Sequence, residues 1–147
     1  MSKFFQAFLT GIFFTFLIDF FLFLGIKLNY INHYDIDVYY NILFADHQNI
    51  FVYLLSSLLL GFIIVYISNK KVTIITFVLL FILSLSSLIP FVGYNLGELL
   101  LMKKDVTLKD SRYTYVGNIY YIGRKNITFY DKEIKKIIIL DKKELIK

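Results

Sequence analysis

Residues 4–26 are almost continuously apolar, and one acid, Asp19, sits in the middle of them. A helix needs about 20 apolar residues to cross the hydrocarbon of a bilayer. No water is available there, so each backbone N–H and C=O must be satisfied inside the segment, and a lone apolar run can only be helical. Two comparable runs follow at residues 50–67 and 72–92. The pattern predicts an α-helical membrane protein with three transmembrane helices. A secretory signal has an apolar core of about 7–15 residues and ends in a small-residue cleavage pattern. Here the run is longer and Lys27-Leu28-Asn29 follows it, so the segment is expected to remain as an anchor.

Charge divides the chain. Residues 1–102 carry four basic and five acidic side chains, whereas residues 103–147 carry twelve basic and six acidic. The overall +5 is therefore a property of the tail. Two parts are expected: a transmembrane helical domain at 1–102 and a small basic β-sheet domain at 103–147. With no cysteine, disulfides, thiolate metal sites and cysteine nucleophiles are excluded.

Asp19 is the first candidate functional residue. A lone carboxylate is costly in hydrocarbon and should face protein or water. Thr15 lies one turn earlier and Gly11 one turn before that, so the three share a helix face at i, i+4 spacing. A face so small and polar suits close contact with another helix, in this chain or in a partner. The sharper alternative is an ion or proton site. The following loop holds His33, Asp35, Asp37, Asp46 and His47. Their spacing fits no defined metal motif, and no metal or cofactor is expected. Tyr30, Tyr34, Tyr39, Tyr40 and Tyr53 fit an aromatic belt at the bilayer surface. Residues 36–45 are expected to form a short interfacial helix, with Val38, Ile42 and residues 43–45 on lipid.

Ser56, Ser57 and Gly61 in the second run favour close helix approach. Ser68-Asn69-Lys70-Lys71 should join two antiparallel helices through a short turn. Thr73, Thr76, Ser84, Ser86 and Ser87 follow; hydroxyls can bond back to their own helix carbonyls, so they do not require a pore. Pro90 should end or kink the third helix. Beyond it, residues 91–102 are too short for an ordinary span and are expected to form an interfacial or re-entrant fourth segment. Glu98 lies there and joins Asp19 and Thr15 as a candidate intramembrane polar contact.

Past Asp105 the pattern becomes that of strands. Residues 113–122, 126–130 and 134–140 are rich in β-branched and aromatic side chains, and a further strand is expected at 105–109. A three- or four-stranded antiparallel meander, barrel-like, is predicted. So short a segment buries little core alone, so the sheet should lean on the helices or on a partner. The run Ile137-Ile138-Ile139-Leu140 should be covered on both faces. Lys103, Lys104, Lys109 and Arg112, close to the last apolar residue, are candidate contacts to a partner or to lipid. No RNA- or DNA-binding motif accompanies the tail aromatics, so no nucleic-acid partner is expected.

The basic turn at Lys70-Lys71 and the flanks of the first run favour an amino terminus in the cytoplasm. With three crossings the tail would then lie outside, against its own basic character, and its side stays open. The expected location is the inner membrane of a bacterial cell. No P-loop, dinucleotide fingerprint or nucleophile elbow is present, and no enzyme is expected. The reading is a non-catalytic integral membrane protein that binds lipid and a partner: an accessory subunit, an assembly factor or an immunity-type protein of a membrane complex. The alternative is an oligomeric small channel or transporter using Asp19, assembled as a homo-oligomer.

Overall fold

The computed structural model describes residues 2–67 and 69–146. The first apolar run forms helix α1, Lys3–Ile26, capped by Ser2, whose hydroxyl accepts the Phe5 N–H at 3.3 Å. The helix does not stop at Lys27 as the sequence suggests. A π-helical turn, Lys27–Ile31, carries it on to a total of 29 residues, because Tyr30 and Ile31 are fully buried and packing there extends the helix. This element is long and apolar enough to cross a membrane. Helix α2 is Tyr40–His47, α3 is Ile50–Tyr66, α4 is Lys70–Ser86 and α5 is Pro90–Leu101. The pairs α2–α3 and α4–α5 reach crossing length and apolarity only jointly, and each is sharply bent, by 85° and 86°.

The second and third runs are thus broken, not straight. Asn49 caps α3 by accepting the N–H groups of Phe51 and Val52, and Asn69 caps α4 in the same way. The helix of the third run ends just ahead of Pro90, as expected, with a bend of 86°. The helix has already stopped at Ser86, and Pro90 is the first residue of α5, where its missing N–H costs nothing. Ile89 before it is extended, as the proline ring requires. Asn29 secures the bend by donating its side-chain amide to the carbonyls of Ser87 (3.1 Å) and Leu88 (3.3 Å).

Helix α1 is the hub. It runs antiparallel to α3, with Gly11 against Ser57 and Gly61 against Ala7. A Cβ on Gly11 would stand 1.8 Å from the Ser57 carbonyl oxygen, and one on Gly61 would stand 2.0 Å from that of Ala7. The backbones are therefore in contact, which only glycine permits. α4 lies alongside α1 in the same direction. Ser84 donates to Ile18 O at 2.6 Å and the Ser87 hydroxyl sits 2.9 Å from Phe21 O. Ser86 and Ser87 bond back to Leu83 O (2.6 Å) and Ser84 O (2.7 Å), as expected of hydroxyls in this helix, and Ser57 does the same to Tyr53 O, whereas Ser84 ties two helices together. The amino terminus and the Asn69–Lys71 turn share one end of the bundle, and the loop between α1 and α3 lies at the other.

Strands β1 Lys103–Asp110, β2 Thr114–Ile122, β3 Asn126–Asp131, β4 Lys136–Asp141 and the two-residue β5 Leu145–Ile146 form one antiparallel sheet in the order β4-β3-β2-β1-β5. It is open, not barrel-like: β4 and β5 are edges. β5 was not evident from the sequence. Three aspartates start its turns. Asp110 accepts the N–H groups of Arg112 and Tyr113, Asp131 those of Glu133 and Ile134, and Asp141 that of Lys143. One face covers itself around Ile119, Ile127 and Phe129. The other face joins the helices through Tyr121, in a core with Phe23, Ile26, Tyr30, Leu43 and Leu101. The run Ile137-Ile138-Ile139-Leu140 is not covered on both faces: Ile138 and Leu140 pack inward, while Ile137 and Ile139 stay exposed.

The glycine contact gives a direct test. Gly11→Val should push α3 off α1 and cost more than the ~1–3 kcal/mol of ordinary overpacking, since the struck atom is a backbone carbonyl. Thermal unfolding in mild detergent should show a large loss for Gly11→Val and a smaller one for Gly123→Ala, whose added Cβ stands 3.1 Å from the Asn126 carbonyl oxygen.

Candidate functional site

Thr15 and Asp19 occupy successive turns of α1 on the side that meets α3. Because α3 runs antiparallel, its capped start comes close to Asp19. The end of α2 delivers Gln48 there, and its Nε2 donates to Asp19 Oδ2 at 2.9 Å, the two residues being 29 apart in sequence. These groups line a cleft of about 490 Å³ between α1 and α3, walled further on by Leu80 of α4 and Leu100 of α5. The remainder of the lining is mostly aliphatic, with Tyr53 and Ser56 adding hydroxyls and His47 an imidazole.

The cleft's polar groups are unequally satisfied. The Tyr53 hydroxyl donates to Ile12 O at 3.0 Å. Thr15 is 3% exposed, and its hydroxyl has no hydrogen-bond partner among the described residues. A buried hydroxyl left unpaired costs about 1–3 kcal/mol. Asp19 Oδ1 likewise accepts nothing from the described residues, so the carboxylate has one donor and spare acceptor capacity. Chemically, the cleft can take an apolar body that carries a hydrogen-bond donor or a cation to Asp19.

Glu98 is not part of this site. It lies on the far side of α5, in a groove with Asn95 and Met102, and its carboxylate pairs with Lys104 at 2.5 Å. Nor do the basic candidates form one patch. Lys103 and Lys104 open β1 beside α5, while Lys109 and Arg112 lie at its other end, roughly 16 Å or more away at the rise of a strand. All four are exposed.

The histidines and acids of the first loop are dispersed. His33 packs edge-on against Tyr34 and Tyr94. His47 sits beside the Tyr121 ring, with Nδ1 3.2 Å from Leu43 O. Asp46 is held by Arg124, Nε to Oδ2 at 2.8 Å and Nη2 to Oδ1 at 2.7 Å. Among the described residues no group of three or more His, Asp or Glu is placed to hold a metal ion. The expected aromatic belt is also rearranged. Tyr30 is fully buried and donates to Tyr120 O at 2.9 Å. Tyr34 bonds to the Tyr94 hydroxyl and lies on the Tyr120 ring, and burial pushes its phenol above the usual range. The expected lipid face of residues 36–45 is inverted in part, since Val38 and Leu43 point into the core.

Sequence reasoning missed Gln48, Tyr53 and Ser56 as companions of Asp19. The signal for Gln48 was its place just ahead of the capping residue Asn49, which sets it at the mouth of the second apolar helix. No known protein family, curated protein or solved structure matches this chain.

The Asp46–Arg124 clamp ties the sheet to α2. The hydrogen bonds from Arg124 hold the Asp46 carboxyl below the ordinary carboxylate range. A depressed acid stabilises the folded contact above its unfolded pKa, about 3.9, and that stabilisation disappears as pH falls through the lower folded value. Between pH 7 and about pH 2, amide protection in the β2–β3 turn, corrected for intrinsic exchange, should fall. Asp46→Asn should show the low protection already at pH 7 and respond little to acid.

Proposed function

We propose that this chain is a non-catalytic, multi-pass membrane protein that acts by holding another membrane protein, as an accessory subunit, assembly factor or immunity-type protein of a membrane complex. In this reading α1, α3 and α4 cross the bilayer, and α2 and α5 lie across its surface. α3 and α4 are each 17 residues, roughly 25 Å, at the short end of the range for a crossing helix. The amino terminus and the Lys70-Lys71 turn face the cytoplasm of a bacterial cell, and the sheet stands on the other side of the inner membrane.

The single observation that carries the reading is the α1–α3 cleft, where Asp19 has spare acceptor capacity beside the unpaired Thr15 hydroxyl. With α3 starting at Ile50, Asp19 stands level with the α2–α3 bend, at the edge of the hydrocarbon, where a donor supplied by a neighbouring helix is favoured over an unpaired polar atom. The occupant is a helix of the partner, with an apolar surface for Leu22, Val52 and Leu59 and one Lys, Arg, Ser or Thr aimed at Asp19. The sheet holds the far side of the partner.

Gentle purification from the native cell should recover a larger, unrelated polypeptide at fixed ratio. Asp19→Asn should lower its recovery several-fold without changing the insertion or stability of the chain. A homo-oligomer with no other polypeptide, whose ion flux in liposomes depends on Asp19, would establish the channel or transporter alternative instead. Wild-type partner recovery in Asp19→Asn would remove the cleft from the interface.

A further inference from the structure

The sheet's outer strand extends the helix-facing side of the sheet past the helices. The cross-strand register sets Ile139 opposite Thr128 and Ile137 opposite Tyr130, on the face that also carries Tyr121. At β2 that face rests on the helical part: Tyr121 lies 5.4 Å ring to ring from His47, and Arg124 grips Asp46. Moving outward through β3 to β4, the face loses its cover. Ile139 is 71% exposed, Ile137 is 45% exposed, and Ile134 in the preceding turn is 55% exposed. β4 is also an edge strand with no neighbour beyond it in the sheet.

What lies beside this strand sets its depth. Ile139 shares a groove of about 440 Å³ with Val38, Tyr39 and Ile42. Tyr39 is 73% exposed. The next residue, Tyr40, donates its hydroxyl to the Phe20 carbonyl at 3.0 Å and packs on the Phe20 ring at 5.3 Å. Phe20 belongs to the apolar run of α1 itself. Tyr39 is thus one residue away from a contact with the crossing helix, and Ile139 shares its groove. Charge flanks them: Lys125, Lys135, Lys136 and Lys143 are exposed, between Lys132 and Lys143 five lysines stand with two acids, Lys132 is paired with Asp105, and the exposed Asp37 lines the groove beside Tyr39.

We propose that β4 is a lipid-docking edge, seated on the anionic headgroup region of the leaflet at the carboxyl end of α1. Ile137, Ile139 and Tyr39 dip below the headgroups, and the lysines meet lipid phosphates. Isolated isoleucines on a water-exposed edge strand invite pairing with other chains. With exposed lysines in the turns on either side of the strand, they match an interface that is apolar below and anionic above. The inference rests on α1 crossing the membrane and is independent of what occupies the Asp19 cleft.

The absence of cysteine allows a direct test in the full chain. Ile139→Cys, Phe13→Cys and Ser111→Cys each take one environment-sensitive fluorophore, in nanodiscs whose lipids carry spin labels at both shallow and deep positions. Phe13 is an exposed residue of α1, and Ser111 lies in the β1–β2 turn, at the opposite end of β2 from the helices. With anionic lipid, the label at 139 should be quenched like that at 13, and the label at 111 should not. Purely zwitterionic lipid, or Lys135→Gln with Lys136→Gln in anionic lipid, should weaken quenching at 139 at least two-fold and leave 13 unchanged. An unquenched label at 139 with 13 quenched overturns the proposal and leaves the partner reading untouched. Shielding of 139 only in the native complex, by protein cross-linking, overturns it in favour of a protein interface. Loss of quenching at 13 as well overturns the membrane placement on which both rest.

Discussion

In hydrocarbon, helices gain nothing by hiding apolar side chains from water, so they hold together through close packing and through hydrogen bonds that have no competitor. The contact of α1 with α3 is built for that. Ala7 and Gly11 on one helix meet Ser57 and Gly61 on the other, at backbone distances that leave no room for a side chain at either glycine. Around the rest of α1, hydroxyls from three elements reach its carbonyls: Tyr53 to Ile12, Ser84 to Ile18 and Tyr40 to Phe20. Each carbonyl already serves the helix ladder, and its second lone pair accepts the extra bond. The remaining elements take their places from this central helix.

In the proposed membrane placement, the physics changes at the carboxyl end of α1 from lipid packing to burial from water. The π-helical turn projects Asn29 and Tyr30 beyond the bundle. Asn29 satisfies carbonyls at the α4–α5 bend, and Tyr30 fills the space between α5 and β2. Full burial of a side chain such as Ile31 contributes about 1.5–3 kcal/mol. A sheet of this size has too little core to stand alone, and the shared junction with its tyrosines supplies the missing part. The Arg124–Asp46 clamp adds orientation, with geometry that allows one register between sheet and α2.

The same arrangement explains why the acid is accessible. Tight contact between α1 and α3 occurs at Ala7 and Gly11. One and two turns further on, where the α1 positions carry Thr15 and Asp19, the cleft opens. Small residues thus close one half of the helix pair, and the larger polar residues leave the other half apart. Gln48, brought in by the bend between α2 and α3, keeps the carboxylate from being wholly unpartnered.

The amino-acid sequence alone determined the parts whose cause is local. Unbroken apolarity marks α1, a residue's preference for caps puts Asn49 and Asn69 at helix starts, and β-branched runs with aspartate turns mark the strands of the tail. Asp19 and Thr15 were legible together because i, i+4 spacing places them on one face whatever surrounds them. Tertiary structure decided what depends on distant partners. It separated Glu98 from Asp19, since α5 turns away at the Pro90 bend and Lys104 is the nearer charge. It moved Tyr30, Tyr34, Val38 and Leu43 from an expected membrane surface into a core, because the sheet folds back onto them. It left Ile137 and Ile139 uncovered, since a strand's partners are chosen by register and not by its own composition. Local sequence sets which residues want burial; only the assembled chain decides how much surface there is to bury them against.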